Sequence, residues 1–136
     1  MTDRITPGMQ AFWANDPAPH EMGVELVEAR EGRSELRLRL EPRHLNGHRT
    51  AHGGVVHLLA DCAAGLAANS IGEQAVTQTN TITFVSPGKL GETLTATGEF
   101  LARSGRSALF DVAIRGEDGR KVAVMRAQMR YIPARP

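Results

Sequence analysis

The stretch His52–Ser70, "HGGVVHLLADCAAGLAANS", decides how the rest of the chain must be arranged. From Gly54 to about Ser70 it reads as one long helix that ends before Ile71-Gly72. Val55, Val56, Leu58, Leu59, Ala60, Ala63, Ala64, Leu66, Ala67 and Ala68 leave it almost no polar face. A helix that is apolar all round is enclosed by other structure. Asp61 sits in the middle of this run, where an unpaired carboxylate is costly or becomes protonated.

The segments on either side can supply the enclosure. Upstream, Val24–Glu31 and Ser34–Leu40 read as a hairpin turning at Glu31-Gly32. Leu36, Leu38 and Leu40 alternate with Arg37 and Arg39, so one face of this strand is buried and the other wet. Downstream, Ala75–Val85, Thr93–Leu101, Ser107–Arg115 and Val122–Tyr131 have strand character. The turns "SPGKLGE", "RSGR" and "GEDGR" separate them. Ahead of everything, Thr6–Asn15 reads as a short helix capped by Thr6, with Pro7 in its first turn. Met9, Phe12 and Trp13 form its apolar stripe, and Asp16-Pro17 and Pro19 end it. The order is helix, two strands, long helix, four strands. A curved antiparallel sheet wrapped round the central helix satisfies it, an α+β arrangement. We expect a single domain over 1–136, with 1–20 as a helical extension. One sheet face would still need cover, which self-association can provide.

Composition narrows the function. The chain has 136 residues and a formal net charge of +1, with aromatics at 4%. A nucleic-acid binder usually carries a stronger basic bias and stacking platforms, so that partner is not expected. The single cysteine, Cys62, excludes an intrachain disulfide and reads as a small core residue. The N-terminus has no basic start followed by an apolar run. The longest apolar run is interrupted by His57 and Asp61 and is too short for a bilayer. The expected location is the cytosol, with no membrane partner.

Two features of the helix can carry chemistry. Gly53 and Gly54 lie at its N-terminal end, where backbone N–H groups are unpaired and partial charge is positive. Glycine there admits a ligand close to the backbone, which suits an oxyanion. The plainer alternative is that the glycines only turn the chain into the helix. Asp61 has three readings: pairing with His57 one helical turn earlier, structural hydrogen bonding at an oligomer contact, or catalysis as base or nucleophile. Spacing leaves these open. The eight residues from Gly53 to Asp61 span roughly 12 Å at a rise of about 1.5 Å each. If Asp61 is catalytic, it must therefore meet the oxyanion site across a groove walled by another segment or subunit. His44, His48 and His52 have a spacing of four, but "HLNGHRTAH" reads as a loop and no further ligand completes a set, so no metal is expected. In "AVTQTNTITF", Thr77, Thr79, Thr81 and Thr83 alternate along one strand face. That face is either solvated or turned toward the Asp61 groove.

"NGHRTAHGGVVHLLADCAAGLAANS" followed by "TITFVSPGKLGETLTAT" resembles the hotdog-fold acyl-CoA thioesterases, most of all those of the phenylacetate-degradation, PaaI type. The likeness covers roughly Arg43 to Arg130. It implies the hotdog fold, a long central helix wrapped by a curved antiparallel sheet, and hydrolysis of an acyl-CoA with no cofactor beyond the substrate's own coenzyme A. By position it implies that Asn46 and the Gly53 N–H polarise the thioester carbonyl. His52 would lie near the departing thiol, Asp61 would be the catalytic carboxylate, and Thr77 would help orient the water. It implies an active site shared between two subunits, with dimers that pair again into tetramers. Arg49 departs from the family pattern, which usually has Gly three residues before the His. Either the loop is reshaped or Arg49 contacts ligand phosphate or a partner chain. Arg103, Ser104, Gly105 and Arg106 match the family's coenzyme A region loosely and read equally well as a solvated basic turn. Two alternatives remain, a hotdog hydratase or dehydratase and a non-enzymatic acyl-CoA sensor. The second would need a DNA-binding segment, and only about 23 residues precede the first strand.

Overall fold

In a computed structural model that describes residues 4–133, the long helix touches every strand of one antiparallel sheet. The elements are α1 (Pro7–Ala14), α2 (Pro17–Glu21), β1 (Glu25–Arg30), β2 (Arg33–Arg39), the central α3 (Gly53–Asn69), β3 (Gln74–Phe84), β4 (Thr93–Ser104), β5 (Ser107–Arg115) and β6 (Lys121–Ile132). The strand order is β1-β2-β4-β5-β6-β3. The expected α+β order therefore holds, and β1 and β3 form the two edges.

The alanines of α3 allow close approach. Ala63, Ala64, Ala67 and Ala68 are fully buried, together with Leu59 and Leu66. Gly98 in β4 faces Ala63, and a Cβ there would lie 2.6 Å from the Ala63 carbonyl oxygen. That carbonyl accepts a hydrogen bond from the Ser34 hydroxyl at 2.6 Å. Farther along, the Tyr131 hydroxyl donates to the Ala68 carbonyl at 3.0 Å. Sheet and helix thus meet through polar stitches as well as apolar burial.

The end of α3 sets the start of β3. Asn69 donates from Nδ2 to the Ala75 carbonyl at 3.1 Å and accepts the Ala75 N–H at 2.9 Å. This clamp brings the first residues of β3 back along the helix. Thr77 pairs with Met129 and Thr79 with Gln128, so Gln78 is the extra residue of a β-bulge. The bulge corrects the expected alternation. Thr77 shares the helix-facing side with Asn80 and Ile82, while Thr79, Thr81 and Thr83 face away.

The N-terminal segment also departs from expectation. Thr6 caps α1, accepting from the Met9 N–H at 3.4 Å. α1 ends before Asp16-Pro17 as expected, but Pro17 also opens a further short helix, α2, at its first position, where a missing N–H is harmless. Met9 is buried and Trp13 packs against the core, but Phe12 remains exposed.

Candidate active site

The loop before α3 is built around Asn46. Its Oδ1 accepts from the His48 N–H at 2.9 Å, the Thr50 N–H at 3.1 Å and the Thr50 hydroxyl at 3.3 Å. With the oxygen committed to the loop, the Nδ2 group is the one left to donate outward. Arg49 sits in this turn at φ 63°, the left-handed region that glycine adopts freely. The loop therefore keeps the shape of the usual glycine with an arginine in its place.

The turn between β3 and β4 supports this loop from below. Gly88 accepts from the Ala51 N–H at 2.9 Å, and a Cβ on Gly88 would come within 2.9 Å of both Ala51 and Leu40. Arg120 holds the turn in place. It donates to the Pro87 carbonyl at 2.7 Å and to both oxygens of Glu92. Glu92 in turn accepts the Lys89 N–H at 2.8 Å. These contacts, the Arg120 guanidinium first, hold the Glu92 carboxyl below the ordinary carboxylate range.

His52 is the N-cap of α3, and its Nδ1 accepts the Gly54 N–H at 3.0 Å. That bond places the ring proton on Nε2. The Gly53 N–H has no acceptor among the described residues. Neither Gly53 nor Gly54 has a positive φ. A Cβ on Gly53 would meet the Phe84 ring at 3.5 Å, an ordinary contact. Among the described residues no contact requires glycine at position 53. A recess of about 340 Å³ opens here, lined by Asn46, Gly53, Phe84 and the Ser86–Gly88 turn.

Asp61 belongs to a second recess, of about 380 Å³, formed by Gly54, His57, Leu58, Asp61 and Asn80. It is half-buried, and the Thr77 hydroxyl donates to its Oδ1 at 3.2 Å. His57 does not pair with Asp61, as one reading of the spacing had it; its Nε2 lies 2.8 Å from Asn80 Oδ1. Asn80 was missed in the sequence. The available signal was an Asn in the middle of a β-branched strand, where Asn is disfavoured. Cys62 next door is half-buried, and its thiol is pushed up to about 12, first by burial and then by the charges of Asp16 and Asp61.

The expected site residues thus fall into two groups. Asn46, His52 and Gly53 gather at the N-terminal end of α3, and Asp61 and Thr77 two turns farther along. Each group is ordered by its own hydrogen bonds, and the chain does not close one upon the other. The basic turn stands apart from both. Arg103 is held by Glu73 through two hydrogen bonds at 2.8 and 3.0 Å and lies 4.0 Å over the Tyr131 ring. Arg106 has no ion-pair partner among the described residues. His44, first of the spaced histidines, is fully buried and bonded through both ring nitrogens, to the Glu41 N–H and the Met22 carbonyl. It is a structural residue of the loop.

A sheet wrapped round one long helix is the hotdog arrangement, and here it carries unpaired donors at the helix N-terminus and a carboxylate on the helix flank. Residues 48–123 match the model of the thioesterase superfamily. The chain is 31% identical to the acyl-coenzyme A thioesterase PaaI of Escherichia coli, over 97% of this chain and 94% of that protein. The solved E. coli PaaI protein from the phenylacetic acid degradation operon superposes with a TM-score of 0.89 at 32% identity, covering 92% of this chain and 91% of that one. A Streptococcus mutans protein solved bound to acetyl CoA superposes with a TM-score of 0.78 at 27% identity, over 83% and 91%. The chain belongs to the thioesterase superfamily, as a hotdog-fold thioesterase of the PaaI family.

Proposed function

We propose that the protein hydrolyses an acyl-CoA thioester to a free acid and coenzyme A, at sites shared by two copies of the chain. The observation that carries this is the division of the site: donors without acceptors at Gly53 and Asn46, and a carboxylate held by Thr77 that they do not reach. In a symmetric pair, the donors of one copy face Asp61 of the other. β3, with Val76 and Phe84 exposed on an edge strand, is the natural seam. The ligand class is supported by the relatives, one named for acyl-coenzyme A and one solved with acetyl CoA. The operon of the E. coli relative favours a ring-derived acyl group, and the placing of this enzyme in aromatic catabolism follows the same likeness.

In this reading the Gly53 N–H and Asn46 Nδ2 hold the carbonyl oxygen as it gains charge. Removing one such donor costs about 2.7–4 kcal/mol of barrier. Asp61 either takes a proton from the attacking water or attacks the carbonyl carbon itself, forming a mixed anhydride that water then cleaves. In both routes the C–S bond breaks and the thiolate leaves toward His52, whose Nε2 carries a proton. Thr77 fixes the carboxylate rotamer. The dimer, its pairing into a tetramer, a part for Arg106 in holding the coenzyme A phosphates and a cytoplasmic location complete the proposal.

The test is Asp61→Asn, which keeps the shape and removes the charge. A folded, oligomeric variant that releases thiol from acyl-CoA at the wild-type rate would sink the assignment. The assay also separates hydrolysis from hydratase or dehydratase chemistry, which changes the enoyl absorbance without freeing thiol.

A further inference from the structure

The loop that carries Asn46 and His52 is rooted in one fully buried side chain, His44. The Met22 carbonyl can only accept, so the 2.8 Å contact requires His44 to donate from Nε2. The Glu41 N–H can only donate, so at 2.9 Å it requires Nδ1 to accept. Both contacts call for the same tautomer, and the ring is held at both ends. Its two partners lie on different segments. Glu41 follows β2, and Met22 closes α2 as its C-cap. The neighbouring Arg43 adds a second tie, donating from Nη1 to the Glu21 carbonyl at 2.6 Å. The turn Pro42–His44 thus satisfies carbonyls that a helix leaves open at its C-terminal end. The N-terminal helices are in this way fastened to the segment that leads into the active-site loop.

Backbone bonds carry the position of His44 onward. Its N–H donates to the Glu41 carbonyl at 2.9 Å, and its carbonyl accepts the His52 N–H at 2.8 Å. Asn46, two residues on, donates its N–H to the Thr50 carbonyl at 2.8 Å, and Leu45 pairs with Ala51. A shift of His44 therefore moves Asn46 and His52 together, and with His52 the adjoining Gly53 N–H. Donors that meet developing charge must be in place before the reaction. A misplacement of about 1 Å costs about a hundredfold in rate.

Resting on the thioesterase reading, we propose that His44 is a positioning residue, which locks the loop donors to the end of α2 and so sets kcat. Being fully buried, it meets no part of the substrate, and the hold on the coenzyme A arm does not depend on it.

The experiment compares the wild type with His44→Leu, which fills the space and makes neither bond, and His44→Gln, whose amide N–H still reaches toward the Met22 carbonyl. Thiol release from phenylacetyl-CoA is measured per folded site, the sites being counted by binding of the matching non-hydrolysable thioether. Backbone hydrogen exchange is followed at Asn46, His52 and the interior of α3. We expect kcat to fall about a hundredfold in His44→Leu and about tenfold in His44→Gln, with KM and thioether binding near wild type. Exchange at Asn46 and His52 should quicken about tenfold more than in α3, the size of one lost hydrogen bond. Wild-type kcat per folded site in either variant overturns the proposal, so one folded variant decides it. Exchange that quickens equally through loop and helix also overturns it, since that marks a role in stability alone. A loss confined to KM does the same, because it would place the effect on the coenzyme A arm. If the wild type releases no thiol, the hydrolysis reading fails, while exchange that quickens in the loop apart from α3 still upholds His44 as the residue that positions these donors.

Discussion

Thr77 donates to Asp61 across 3.2 Å because β3 takes in one extra residue at Gln78. Unbroken alternation from Thr79, Thr81 and Thr83 would have turned Thr77 to the outer face. The bulge re-aims a single hydroxyl at a single carboxylate, a common use of bulges next to active sites.

Thr77→Val should therefore lower kcat about tenfold, the rate equivalent of roughly 1.4 kcal/mol, with little loss of stability. Thr77→Ser, which keeps the hydroxyl, should stay near wild type. Steady-state thiol release with a melting curve for each variant checks this. Equal rates for Val and Ser would remove Thr77 from the site.

Asn46→Asp keeps the oxygen that accepts from His48 and Thr50 and removes the outward N–H donor. The loop should survive, while kcat drops about a hundred- to a thousandfold. A variant that melts early and has lost its loop would instead mark Asn46 as purely structural.

The helix and the order of strands were legible because an all-apolar run and Gly- or Pro-rich turns each have one physical solution. Gly53 and Asp61 were legible as candidates, but spacing left their roles open, because what each can meet depends on groups far off in the sequence. The bulge was hidden, since one added residue leaves the composition of a Thr-rich strand unchanged. The pairing of Arg103 with Glu73 was hidden for another reason. It joins residues 30 apart that meet only once β3 and β4 are placed.

Arg49 occupies left-handed backbone at φ 63° and has no ion-pair partner among the described residues. A non-glycine residue there costs about 1–3 kcal/mol, and glycine gives back about 0.5–1 kcal/mol through the freedom of the unfolded chain. Arg49→Gly should thus raise stability by about 1 kcal/mol, a melting shift of about 3 °C. A lower melting temperature would show that the arginine makes contacts that compensate, as a partner chain would provide.

Burial holds the Cys62 thiol at about 12, against an ordinary value of 9.0. Iodoacetamide at pH 8 should modify it slowly in the native protein and fully after unfolding. The sign of the linkage follows: the folded state keeps the proton that the unfolded state gives up above pH 9.0, so this share of stability is intact below that pH and lost as pH rises toward 12. Cys62→Ala should flatten the alkaline fall, and an unchanged fall would assign it to other groups.

The central claim is that Asp61 works against the Asn46 and Gly53 of a second copy, and subunit mixing tests it most directly. Asp61→Asn and Asn46→Asp are each expected to be nearly inactive. Denatured together in equal amounts and refolded, they form mixed pairs with one site doubly altered and the other wholly wild type. The mixture should recover about a quarter of wild-type activity, from random pairing in a symmetric dimer. A mixture no more active than its two components, with mixed pairs shown to be present, would contradict the shared site.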